Sequence, residues 1–142
     1  TGKRNIIPEG AVARGDLRVL TPEQLSRVKD KMQSIVAKSL PGTHSEFTLE
    51  EHYPPMAPTA GNKKLLELRN QANRALGYEE ELDLDPMLRG AGDISFVAPY
   101  VDSLSGLGAN GLGAHAAGES VNLDRMPLQA KRAAVTIYRI TH

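Results

Sequence analysis

Gly111-Leu112-Gly113-Ala114-His115-Ala116-Ala117-Gly118-Glu119 places one histidine in a run of glycine and alanine, sets a carboxylate four residues later, and leads toward the closing helix. No bulky neighbour flanks His115, so its ring is free to face a metal or a ligand that needs close backbone approach. Upstream, Leu104 to Leu112 is glycine-rich and suits a short extended segment. Downstream, Asp124 is placed to cap a last helix. The apolar positions of that helix (Ala130, Ala133, Ala134, Ile137, Tyr138 and Ile140) imply burial on more than one side. One imidazole cannot hold zinc by itself, because catalytic sites usually take three protein ligands.

Further upstream, residues 4–20 read as two extended pieces, Asn5-Ile6-Ile7-Pro8 and Ala11 to Leu20, with Gly15 as a possible bulge. Thr21-Pro22-Glu23-Gln24 predicts a helix start, with Thr21 as cap and Gln24 reaching back to complete a capping box. Leu25, Val28, Met32, Ile35 and Val36 then mark one helical face, and Pro41-Gly42 is expected to end it. Phe47, Leu49 and Tyr53 suggest a third strand stopped by Pro54-Pro55. This order predicts an antiparallel sheet carrying a helix on one face.

Pro54 to Gly61 holds three prolines and a glycine, and is the best boundary candidate. A second helix is expected from about Asn62, with Leu65, Leu68, Ala72 and Leu76 on one face and Gly77 as its C-terminal cap. The acidic stretch Glu79 to Asp85 separates it from the turn Gly90-Ala91-Gly92. Asp93 is placed to cap a short helix over Ile94 to Tyr100.

Seventeen basic residues balance seventeen acidic ones without a long block of either sign, so the broad positive footprint of a nucleic-acid or anionic-membrane binder is not expected. No apolar run approaches the roughly 20 residues of a membrane span. With no cysteine, disulfides and thiolate metal sites are excluded. The chain opens on Thr1-Gly2-Lys3-Arg4 with no visible signal peptide, and reads as cut from a longer protein.

Several other features carry less chemistry. Gly106-Leu107-Gly108-Ala109-Asn110-Gly111 formally matches a dinucleotide fingerprint. That motif needs a helix opening at its third glycine and an acid about 20 residues on, where this chain has Lys131. His44, His52 and His142 show no metal-ligand spacing with one another or with His115; His44 and His52, in or beside the third strand, read as solvated, and His142 is terminal and could begin a tag. Arg18 sits among apolar residues of the longer extended piece, where a guanidinium either points to solvent or captures a carboxylate through two parallel hydrogen bonds.

Taken in order, Asn5-Ile6-Ile7-Pro8, the Arg18 segment, Gly90-Ala91-Gly92-Asp93 and Gly113-Ala114-His115 with Glu119-Ser120-Val121-Asn122-Leu123 resemble the M20 metallopeptidases, and among them the glutamate carboxypeptidase-like members. The resemblance implies an α+β chain. Residues 1–58 would be the latter part of a lid or dimerisation domain, an antiparallel sheet with a helix. Residues 59–142 would be the C-terminal α/β piece of a zinc-peptidase catalytic domain. It makes His115 a zinc ligand of a two-zinc centre. It makes Asn5, Arg18, Gly90, Ala91 and Gly92 substrate-binding groups, with Arg18 on the terminal carboxylate. No catalytic residue falls within these 142 residues, since the other zinc ligands and the general-base glutamate of the family precede Thr1. Position 91 is alanine where the family's turn more often has glycine.

The implied activity of the parent is zinc-dependent hydrolysis of amide bonds in peptides or N-acyl amino acids with a free carboxylate. The partners implied are that substrate and a second subunit joined through the lid, with neither nucleic acid nor membrane. The resemblance leans toward a periplasmic rather than a cytoplasmic setting. The fragment alone is expected to be inactive. The rival expectation is a non-catalytic dimerisation or interaction module that works through residues 1–58.

Overall fold

The computed structural model describes residues 7–88 and 92–142. Among them the chain is a small mixed α/β protein with three α-helices, α1 (Pro22–Val36), α2 (Ala60–Ala75) and α3 (Met126–Thr141). A two-stranded antiparallel sheet pairs β1 (Gly111–Leu112) with β2 (Ser120–Val121). Single 3-10 turns lie at Pro86–Leu88, Asp93–Phe96 and Leu123–Arg125.

Local chemistry sets the helix ends. The Gln24 amide donates to Thr21 Oγ1 at 3.2 Å while Thr21 N donates to Gln24 Oε1 at 3.3 Å, so the expected capping box is formed. α1 stops at Val36, before Pro41-Gly42, which instead lies in a separate turn closed by Thr43 N to Leu40 O at 2.9 Å. α2 starts slightly earlier than expected, because Thr59 is the cap and accepts from Asn62 N at 3.0 Å. At its far end Gly77 takes φ +72°. Tyr78 N reaches Asn73 O at 2.9 Å and Gly77 N reaches Arg74 O at 3.1 Å, the two bonds of a Schellman ending.

Two expected caps are different residues. Asn122, not Asp124, caps the turn leading into α3, accepting from Arg125 N at 3.2 Å, and the 3-10 turn runs straight into the helix. Gly92 precedes the 3-10 turn at Asp93–Phe96 with no side-chain cap, and Asp93 instead accepts from the Tyr53 hydroxyl at 3.2 Å.

The strands expected in the first 58 residues do not form a ladder among the described residues. Residues 7–20 and 38–59 carry no regular structure, and Ile7 and Val12 are almost fully exposed. A strand is stable only when its backbone groups meet a partner. Among the described residues neither Ala11–Leu20 nor Phe47–Tyr53 pairs with a strand, so both stay irregular, with Leu17, Val19, Leu20, Phe47 and Leu49 only half-buried.

The centre of the molecule is polar. α2 packs on α3, yet Ala72 is the one buried apolar residue among those described, whereas Arg69, Asn70, Asn73, Arg132 and Thr136 are all buried. The chain exposes 11930 Å². A folded monomer of 15.3 kDa exposes about 7,100 Å² by the usual mass scaling. About 4,800 Å² more than that scaling is therefore open, including Tyr100, Ile137, Tyr138 and Ile140.

Candidate functional site

His115 lies in the loop of the β1–β2 hairpin. Gly111 pairs with Val121 and Leu112 with Ser120, and Asn122 N to Asn110 O at 2.7 Å closes the base. The pairing requires glycine at 111. A Cβ there would stand 1.9 Å from Ser120 O and 3.2 Å from Val121 Cα, both backbone atoms. The close approach at Gly111 is therefore made to the opposite strand.

Two successive turns build the loop. Ala116 N donates to Gly113 O at 2.9 Å, and Glu119 N donates to Ala116 O at 3.1 Å. The third residue of each turn has positive φ, +64° at His115 and +87° at Gly118, while the alanine before each does not. That pattern is the type II turn, whose third position ordinarily takes glycine or asparagine. His115 is the one non-glycine residue with positive φ among those described. The left-handed conformation costs an L-residue about 1–2 kcal/mol. Histidine tolerates it better than bulky or β-branched residues. The side chain of His115 is exposed and makes no hydrogen bond or ion pair within the described residues, so both ring nitrogens remain available.

Of the other predicted site residues only Arg18 and Gly92 are described, and neither is hydrogen-bonded or ion-paired to His115. Arg18 is exposed and its Nε donates to Asp16 at 2.9 Å, a solvent-side pair two residues apart. Gly92 is half-buried, and a Cβ on it would meet only ordinary contacts near 4 Å with Ser105 and Ile94. Asn5, Gly90 and Ala91 lie outside the described residues. Glu119 is exposed. Among the described residues no three histidines or acids come together to hold a metal ion. The described residues therefore do not by themselves fit a zinc ion. The fingerprint-like glycines at 106–111 lead into β1 rather than a helix, which removes the geometry that a dinucleotide needs.

A polar cluster that sequence reasoning missed holds α2, α3 and the acidic stretch together. Glu81 receives Arg69 on both carboxylate oxygens and Arg132 Nη1 at 3.2 Å. Arg69 Nη2 also donates to Gln129 Oε1 at 2.9 Å, and the Arg132 guanidinium lies 5.2 Å from the Tyr78 ring centre. Burial pushes the Glu81 carboxyl up, but the Arg69 hydrogen bond and the charges of Arg69 and Arg132 outweigh it and hold the pKa below the ordinary 4.5. The available signal was an arginine, Arg69, beside Leu65, Leu68 and Ala72 on the inward arc of α2.

No family model matches this chain, and neither a curated protein nor a solved structure matches it. No helix among the described residues is long and apolar enough to cross a membrane.

Proposed function

We propose that the chain is the C-terminal part of a zinc-dependent carboxypeptidase of the M20 type, hydrolysing amide bonds of peptides or N-acyl amino acids with a free carboxylate. The observation that carries this reading is His115. An exposed imidazole free of hydrogen bonds sits on a backbone conformation that costs free energy and that glycine would adopt more easily. Strain of this kind persists where a side chain must be presented in one place. The ordered motifs from Asn5 to Glu119 supply the family resemblance.

Within the reading, His115 gives one nitrogen ligand and the hairpin fixes its direction. Arg18 would bind the substrate carboxylate after releasing Asp16, which holds it only through an exposed pair. The remaining ligands and the general base belong to the longer polypeptide, and no chemical step is assigned to the residues present. A zinc-dependent hydrolysis assay of the 142-residue chain tests the reading. No turnover is expected, and robust cleavage by this chain alone overturns the fragment assignment.

The second reading, a non-catalytic interaction module, is favoured by the large exposed surface. Replacing His115 with alanine in the longer protein separates the two. Lost hydrolysis with an intact fold supports the ligand role, and undiminished hydrolysis supports the module.

A further inference from the structure

Of the six asparagines in the chain, only Asn110 is followed by glycine. The pair lies at the base of the hairpin that carries His115 rather than in its loop. Asn62 Oδ1 accepts from Ser103 N, Asn70 and Asn73 are tied into the Glu81 cluster, and Asn122 Oδ1 accepts from Arg125 N. Each of these bonds holds a side-chain amide in place. Asn110 is exposed, and its side chain makes no hydrogen bond within the described residues. It lines an open hollow of about 730 Å³ with Ser120, Asp124 and Arg125, so water and hydroxide reach it.

Gly111 is equally open. Asn122 N donates to Asn110 O, which makes 110 and 122 a hydrogen-bonded pair. By the alternation of an antiparallel ladder, the next pair, Gly111 with Val121, exchanges no hydrogen bond. The Gly111 N–H therefore points away from β2, toward the edge of β1 that has no strand beside it among the described residues. Glycine has no side chain to shield that nitrogen. A lone two-stranded ribbon is marginally stable in water, so local opening frees the backbone at Asn110 to turn.

We propose that Asn110 is a deamidation site, with the Gly111 main-chain nitrogen as the nucleophile. Hydroxide removes the Gly111 amide proton and the nitrogen bonds to Asn110 Cγ. The Cγ–Nδ2 bond breaks, Nδ2 takes a proton from water and leaves as ammonia, and a five-membered succinimide remains. Water then adds at Cγ to break its bond to nitrogen and give aspartate, or at the main-chain carbonyl carbon to give isoaspartate. The net reaction consumes one water, releases one ammonia and needs no oxidant or reductant. Either product brings a carboxylate into the hollow beside Asp124 and Arg125. Isoaspartate also routes the main chain through Cβ, adding an atom at the pair that closes the hairpin and so disturbing its register. The loop presenting His115 loses its tie at Asn122 as the chain ages. The reaction is a property of this chain and does not depend on the peptidase reading.

Incubation of the 142-residue chain in mildly alkaline buffer, followed by peptide mapping with fragment-ion mass spectrometry, tests it. Residue 110 is expected to gain the mass of an amide-to-acid change before any other described asparagine, with isoaspartate among the products and a rate proportional to hydroxide. Asn110→Gln is expected to abolish the change at that position. The folded chain is expected to react within about tenfold of the chain in guanidinium chloride, a factor equal to about 1.4 kcal/mol of opening. Amide exchange at Asn122 is expected to be faster in the isoaspartate form. No conversion at 110, earlier conversion at Asn122, aspartate without isoaspartate, a folded rate slower than that limit, or unchanged exchange at Asn122 each overturns the proposal.

Discussion

The side-chain amide of Asn70 clasps the backbone of Glu81 from both sides. Asn70 Nδ2 donates to Glu81 O at 2.9 Å, and Asn70 Oδ1 accepts from Glu81 N at 2.8 Å. A neighbouring strand would make the same two bonds to this residue, and here a helix supplies them. Glu81 thus reaches α2 by its backbone through Asn70, and both α2 and α3 by its carboxylate through Arg69 and Arg132. In a chain that buries almost no apolar side chain, this residue joins the two packed helices.

Asn70→Ala is therefore expected to be costly. It removes both bonds and leaves partly buried backbone groups of Glu81 unpaired, a loss of about 2–3 kcal/mol. Urea unfolding checks it. A change below about 0.5 kcal/mol, the level of an ordinary surface substitution, would show that the clasp does not hold the fold.

Acid should loosen the same contact. The Glu81 pKa is depressed in the folded chain, so its ion pairs contribute fully above the unfolded value, near 4.5. That contribution is lost as pH falls through the folded value. Stability is expected to drop below about pH 4.5, and the drop should be shallower in Glu81→Gln, which is already less stable at neutral pH. Parallel pH profiles for the two proteins would refute this.

Gly111→Ala is expected to open the hairpin, since the new methyl meets backbone atoms that cannot turn aside. The cost is about 2–3 kcal/mol, as for an overpacked site. It should appear as faster amide exchange at Asn122, whose N–H closes the hairpin base. Unchanged exchange there would contradict the register of β1 and β2.

At position 115 glycine is expected to stabilise the turn by about 1 kcal/mol relative to alanine, because only glycine takes positive φ without strain. Amide exchange at Ala116, bonded to Gly113 O, reports it. Equal protection in His115→Gly and His115→Ala would show that the turn stores no strain.

Much of the helical framework was legible because its signals are local. Thr21 and Gln24, or Gly77 after Leu76, are read within a few residues. The extended segments were misread because strand formation depends on a distant partner, and neither Val12 nor Phe47 has one among the described residues. The cluster at Glu81 was missed for a related reason. Its arginines lie 12 and 51 residues away, and although Arg69 shares the inward arc of α2 with Leu65, Leu68 and Ala72, nothing in the sequence links it to Glu81 or to Arg132. His115 stood out in the sequence through its small neighbours, but the left-handed backbone that holds it emerged only from the two turns. Asn122, which closes the hairpin and caps the following turn, was read merely as part of a motif.

The proposed ligand role of His115 is tested most directly by zinc content and amide hydrolysis of the longer polypeptide that the proposal assumes, with and without His115→Ala. Partners that merely orient a metal ligand already change affinity or activity by 10–100-fold, so loss of the ligand itself is expected to cost at least about 100-fold in hydrolysis, with less than the full zinc complement retained. A folded His115→Ala protein that keeps its zinc and its activity would contradict the account.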